Sequence, residues 1–274
     1  DQWTKLIRYA KQKKLKVFVD VFGINSAKMA HNLKVDGYKI HTSDITNPIL
    51  LEFFSKLKNP ILLSTAAVTT DEISHALEKL SLTKKEIILM HGFQGYPTQV
   101  TDLDLSRISK LKNQFDLPVG IMEHVSGDSK LSLIAPLLGI SLGAIVVEKH
   151  LTLDRSLKGT DYFSSLNPNE FKKLASLIHL TKKSLGSEKM IFSKNEIQYR
   201  LKHKKNTITK KSIKKGIKLN EALFDYKRTL TKKESVPYYE FNNNISANNI
   251  EKGTILTSKM IQARTKVAAI IACR

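Results

Sequence analysis

The stretch Gly143-Ala-Ile-Val-Val-Glu-Lys-His150 decides how this chain folds. Its apolar run is of the kind that forms a buried parallel strand. It then stops on an acid, a base and an imidazole, where a surface turn would bring Gly, Asn or Pro. Five earlier β-rich runs, at residues 17–22, 37–41, 60–64, 86–91 and 118–124, share that build. They end on Lys39 and His41, Ser64 and Thr65, His91, and Glu123 and His124. Helical patterns lie between them. One opens at Thr69 with Glu72 three residues on, a capping box. Another opens on Asn167-Pro-Asn-Glu170 and closes on Lys182-Lys183 and Gly186, the expected order of cap, first-turn Pro, basic last turn and terminal Gly. Six strands alternating with helices predict a parallel sheet with crossover helices. No Gly-rich G-x-G-x-x-G turn follows a strand, so a dinucleotide fold is not supported. The shared polar C-terminal ends instead suit a (β/α)₈ barrel, whose chemistry sits on that rim.

The 274 residues, 41% hydrophobic, suffice for a large domain and a small one. No apolar run approaches the ~20 residues of a membrane helix. The single cysteine, Cys273, excludes an intrachain disulfide and fits a cytoplasmic location. With no base assignable to it, it is not expected to be a nucleophile. The net charge of +20 concentrates between residues 182 and 233, which hold 17 Lys or Arg against four Asp or Glu. Few aromatics interleave there, so a solvated Lys-rich surface is expected rather than a nucleic-acid site. The chain opens inside an amphipathic pattern without an initiator Met, so the start of the gene product is expected to lie upstream.

The expected layout is a barrel domain at 1–186, a Lys-rich linker at 187–206 and a small β-rich domain at 207–274. The last contains a repeat at an offset of 37 residues: Ile213-Lys-Lys-Gly-Ile-Lys-Leu-Asn-Glu-Ala-Leu-Phe224 matches Ile250-Glu-Lys-Gly-Thr-Ile-Leu-Thr-Ser-Lys-Met-Ile261. Gly216 and Gly253 would turn at positive φ and Asn220 and Thr257 would cap short helices, giving pseudo-twofold symmetry.

His124 and His150 end consecutive strands, so in a barrel both imidazoles can enter one mouth and hold Mn²⁺, Zn²⁺ or Fe²⁺; each read alone is more often structural. Glu148 shares the parity of His150, whereas Glu123 has the opposite parity to His124 and suits an outward salt bridge. Lys39, on a buried-looking strand, needs an anion or an internal ion pair. Ser64 and Thr65 could donate hydroxyls to an anion or merely end a strand. Gln94 and Tyr96 offer hydrogen-bonding groups from a Gly/Pro turn, which is otherwise a plain loop.

Taken together, these stretches resemble the N-acetylneuraminate (sialic acid) synthase family, which includes the legionaminate and pseudaminate synthases. The resemblance runs through Tyr38-Lys-Ile-His-Thr-Ser-Asp-Ile-Thr-Asn47, Pro60-Ile-Leu-Leu-Ser-Thr65, residues 91–97, Pro118-Val-Gly-Ile-Met-Glu-His124, Val147-Glu-Lys-His-Leu-Thr152 and Gly159-Thr-Asp161. The C-terminal repeat is similar to the family's antifreeze-like (SAF, β-clip-like) domain. The resemblance implies a transferase that condenses phosphoenolpyruvate with an open-chain N-acyl amino sugar and releases phosphate. It implies Mn²⁺ or Mg²⁺ on His124 and His150, with Lys39, Thr42 and Ser64 on phosphoenolpyruvate and Gln94 close by. Asp44, in place of a usual Glu, would work near the reacting carbons, and Tyr96 and Asp161 would contact the sugar. Arg228 would reach the sugar's N-acyl group in the partner subunit of a domain-swapped homodimer.

The chain also departs from the family pattern. Met122 stands where the family usually has Ser, His41 and Ala66 replace glycines, and Thr229-Leu230 replaces Pro-Gly after Arg228. Six β/α units are counted where a closed barrel has eight. The resemblance therefore implies a partial (β/α)₈ barrel lacking its first two units, inactive by itself. The alternatives are an inactive carbohydrate-binding homologue and a metal-dependent barrel aldolase.

Overall fold

The structure, a computed structural model, describes residues 2–81, 85–229, 231 and 233–264. Cys273 lies outside the described residues. The chain forms two compact units, Asp1–Ser187 and Glu188–Arg274.

In the first unit, helix α1 (Gln2–Gln12) leads into six β/α repeats: β1 (Phe18–Val21), α2 (Ile24–Asn32), β2 (Gly37–Ile40), α3 (Pro48–Ser55), β3 (Ile61–Ser64), α4 (Thr70–Leu80), β4 (Ile87–His91), α5 (Arg107–Phe115), β5 (Val119–Met122), α6 (Leu131–Ser141), β6 (Ala144–Glu148) and α7 (Pro168–Leu185). The six strands form one parallel sheet in sequential order, with β1 and β6 as its edges among the described residues. The caps form as the sequence predicts. Thr69 and Glu72 bond reciprocally at the start of α4; at α7 the Asn167 N–H donates to Glu170 at 2.7 Å, and the helix ends on Gly186 at φ 64°.

Alternation along each strand gives the sheet two unlike faces. Tyr38, Ile40, Ile61, Leu63, Leu89 and Ile121 pack with helix residues such as Ala27, Leu50, Phe54, Ile73 and Ile108 in the main core. The opposite face carries a smaller cluster of Ile88, Met90 and Met122, with Leu62 and Val146 against it. Gly120 lets this inner layer close. A Cβ there would stand 2.4 Å from the Met90 sulfur. The sheet is strongly curled. On a flat sheet β2 and β6, four strand steps apart, would be about 19 Å from each other. Yet Lys39 of β2 reaches Glu148 of β6 at 2.7 Å. That curvature makes the unit a six-stranded parallel α/β sheet consistent with a partial barrel-like fold.

In the second unit, the segment read as a linker contains α8 (Lys194–His203), opened by a Ser193–Glu196 capping box. Arg200 and Lys204 both pair with Glu234, so this Lys-rich stretch is tied to its own unit. Beyond it lie β7 (Asn206–Thr209), β8 (Phe224–Lys227), α9 (Tyr238–Phe241), β9 (Ile245–Ser246) and β10 (Ile261–Gln262). The two copies of the repeat are bonded to each other. Ile213 and Ile250 exchange both backbone hydrogen bonds at 2.8 Å. The Gly216 N–H donates to Ser246 O as the Gly253 N–H donates to Thr209 O. Ser246 Oγ donates to Lys214 O as Thr209 Oγ1 donates to Glu251 O. Both glycines have positive φ, 84° and 79°. Around this pseudo-twofold core pack Leu219, Phe224, Phe241 and Leu256.

Candidate metal centre and anion site

Strand pairing brings the two histidines together. β5 and β6 run parallel with Met122 opposite Glu148, so two residues further His124 meets His150. Their ring centroids are 4.9 Å apart, and the planes cross at 81°. Ligand atoms of His124, Glu148 and His150 all lie within 4.8 Å of one another, a set able to hold a metal ion. Burial, reinforced by the neighbouring His150, pushes the His124 imidazole down to about 4. Burial also lowers His150. Both rings are therefore neutral near pH 7, the form that coordinates metals. His124 Nδ1 lies 3.1 Å from Phe93 O, a bond it makes as donor, leaving Nε2 for a ligand. His150 Nδ1 stands 3.6 Å from Asp161.

The centre opens into a cavity of about 640 Å³ at the C-terminal end of the sheet's inner face. Lys39, Gln94, Tyr96, Asp161 and the two histidines all line it. Tyr96 packs edge-on against His124, centroids 4.9 Å apart. Lys39 is held between two acids, Glu148 at 2.7 Å and Asp20 at 3.3 Å. Burial alone would lower its ammonium, but Glu148 and Asp20 outweigh that and hold it above its usual range. Thr42 and Ser64 share a 2.7 Å hydrogen bond, and Ser64, fully buried, lies 3.7 Å from the Met122 sulfur; neither is among the cavity's lining residues.

Asp44 sits elsewhere. It follows Thr42 in a short turn and accepts from Asn47 at 2.7 Å, and it is not among the cavity's lining residues. Arg228 is exposed in the second unit. His91 ends its strand on the outer face, donating from Nε2 to Leu103 O at 3.0 Å.

Sequence reasoning missed Asp20. It lies on β1 in register with Lys39, lines the cavity, and has one carboxylate oxygen, Oδ1, buried without a partner among the described residues. Its signal was an acid inside an otherwise apolar run. His41 also reaches the cavity, its Nε2 2.8 Å from Gln94 Oε1.

A sequence model of the NeuB family matches residues 1–190. An uncharacterised protein of Methanocaldococcus jannaschii is 32% identical over 229 residues, covering 83% of this chain and 66% of that protein. The N,N'-diacetyllegionaminic acid synthase of Campylobacter jejuni is 31% identical over 255 residues, covering 92% of this chain and 75% of the enzyme. Among solved structures, N-acetylneuraminic acid synthetase from Leptospira borgpetersenii, in complex with citrate, aligns with a TM-score of 0.67 at 31% identity, covering 72% of this chain and 69% of that one. The chain thus spans 66%, 75% and 69% of these three proteins, and only about half of some other synthases it matches. It belongs to the NeuB family of sialic acid synthase-type proteins.

Proposed function

We propose that this chain works in nonulosonic acid synthesis, condensing phosphoenolpyruvate with an open-chain N-acyl amino sugar and releasing phosphate. The observation that carries this reading is the convergence of His124, Glu148 and His150 with the buried cation Lys39 on one cavity wall. The donor set, two neutral imidazoles beside a carboxylate, fits Mn²⁺ and, less tightly, Mg²⁺. A divalent ion held by His124 and His150 would supply Lewis-acid polarisation of the aldehyde oxygen.

The chain's own residues then have these tasks. Lys39, Thr42 and Ser64 hold the carboxylate and phosphate of phosphoenolpyruvate, with Gln94 beside them. Tyr96 and Asp161 orient the sugar so that C3 of phosphoenolpyruvate faces the aldehyde carbon. A carbon–carbon bond forms there, water adds at C2, and the tetrahedral carbon expels phosphate by C–O cleavage. Lys39 stabilises the charge that builds on the leaving group. In this reading the open edges β1 and β6 belong to a barrel of eight units. The second unit is an antifreeze-like domain, and Arg228 serves the N-acyl group of a sugar in the partner of a homodimer.

The test is phosphate release on mixing phosphoenolpyruvate with N-acyl amino sugars and Mn²⁺, using this chain and a form extended to eight β/α units. Release that needs both substrates supports the proposal, and its absence from both forms overturns it. A second reading, an inactive carbohydrate-binding homologue, is favoured by Met122 beside Ser64 and by the two acids already on Lys39. Sugar binding without release by the extended form would support it.

A further inference from the structure

We infer that Glu123 and Lys149 form a clamp that sets the spacing of His124 and His150, making them positioning residues for the metal centre. The inference rests on the metal reading above. Glu123 immediately precedes His124 and Lys149 immediately precedes His150. The register that pairs Met122 with Glu148 makes Glu123 and Lys149 the next cross-strand pair. Their side chains point away from the cavity and form an ion pair in which each is 1% exposed. The carboxylate works on both sides of its histidine. One oxygen binds Lys149 across the strands, and the other accepts the Val125 N–H at 2.7 Å.

Further hydrogen bonds fix the backbone on the far side of each ligand. The His124 carbonyl accepts from Thr98 N at 2.9 Å and from Ser164 Oγ at 2.7 Å. The His150 carbonyl accepts from Leu166 N at 2.9 Å. The ion pair is the side-chain bond that ties one histidine's strand end to the other's.

Stability alone is a poor account of such a pair, because a well-packed apolar pair of similar volume commonly does as well or better. An ion pair adds a fixed distance and direction between two groups. It is also neutral overall, so it places little net charge behind a site that must accept a cation.

The test uses the whole chain, measuring Mn²⁺ affinity by calorimetry and the visible spectrum of bound Co²⁺. Two variants are needed. Glu123→Asp keeps the charges paired but is one methylene too short to reach Lys149 and Val125 together. Glu123→Gln with Lys149→Met removes both charges and keeps an acceptor for Val125. The double variant should unfold within a few degrees of the wild type and bind Mn²⁺ roughly 10–100-fold more weakly, the usual effect of losing an outer partner of a metal ligand. Its Co²⁺ bands should shift at saturation. Glu123→Asp should weaken binding by a smaller factor, and it carries the test if the double variant does not fold. Wild-type affinity within twofold and an unchanged Co²⁺ spectrum in the variants would overturn the clamp alone. A wild-type chain that binds neither ion would overturn the metal reading, and the clamp with it.

Discussion

Two buried lysines of one sheet, Lys149 and Lys39, keep opposite company. Lys149 meets one acid on the outer face, and both partners are sealed at 1% exposure. Lys39 meets two acids on the inner face, where Asp20 and Glu148 remain 31% and 24% exposed to the cavity. The outer pair balances and is closed. The inner cluster carries a surplus negative charge, an oxygen without a partner, and a route to solvent. A structure that only needed to bury a lysine had the first solution available. The second makes sense where an incoming cation completes the balance.

Substitution at each lysine tests that contrast. Lys149→Met leaves Glu123 buried and unpaired, so urea unfolding should show a loss of about 3–5 kcal/mol. Lys39→Met frees two acids that water can reach, and a smaller loss of about 1–3 kcal/mol is expected. Equal losses would erase the distinction between a closed and an open cluster. His124→Ala acts on the inner face alone. It should weaken Mn²⁺ binding about a hundredfold, equivalent to about 2.7 kcal/mol, with the unfolding midpoint little changed. Undiminished binding in calorimetry would remove His124 from the centre.

The smallest effect concerns Asp20. Burial raises its carboxyl above the ordinary 3.8 despite the pull of Lys39. The folded chain therefore holds that proton more tightly than the unfolded chain, and ionisation costs stability as pH rises from the unfolded value through the folded one. Asp20→Asn should accordingly be slightly more stable than the wild type at pH 7, with the advantage fading as pH falls towards 4. A variant less stable at pH 7 would show that the ionised carboxylate supports Lys39 more than it costs.

How far the sequence could be read follows from these residues. The helix caps at Thr69 and Asn167 were legible because they are local patterns, and so was the meeting of His124 and His150 on adjacent strand ends. The polar strand ends were harder to sort. Grouped as one rim, they divide by strand parity: His91, Glu123 and Lys149 face the helices, whereas Lys39, Glu148, His124 and His150 face the cavity. The partners of Lys39 were out of reach, since Glu148 lies 109 residues away and meets it only because the sheet curls. Asp20 hid in an apolar run for the same reason. The helix Lys194–His203 was obscured by lysines, although Ser193 and Glu196 announce it.

The interlocked repeat of the second unit bears on how that unit folds. Its cross-copy side-chain bonds join residues 29 to 45 positions apart. Each copy keeps a two-stranded ladder of its own, β7 with β8 and β9 with β10, but the turns at Gly216 and Gly253 are closed by the other copy, so a chain cut between them would leave both turns without those partners. Loop closure must come before the reward, a topology that slows folding relative to a helical unit of the same size. The two halves should accordingly melt in a single cooperative step, and protection from amide exchange at Ile213 and Ile250 should appear together.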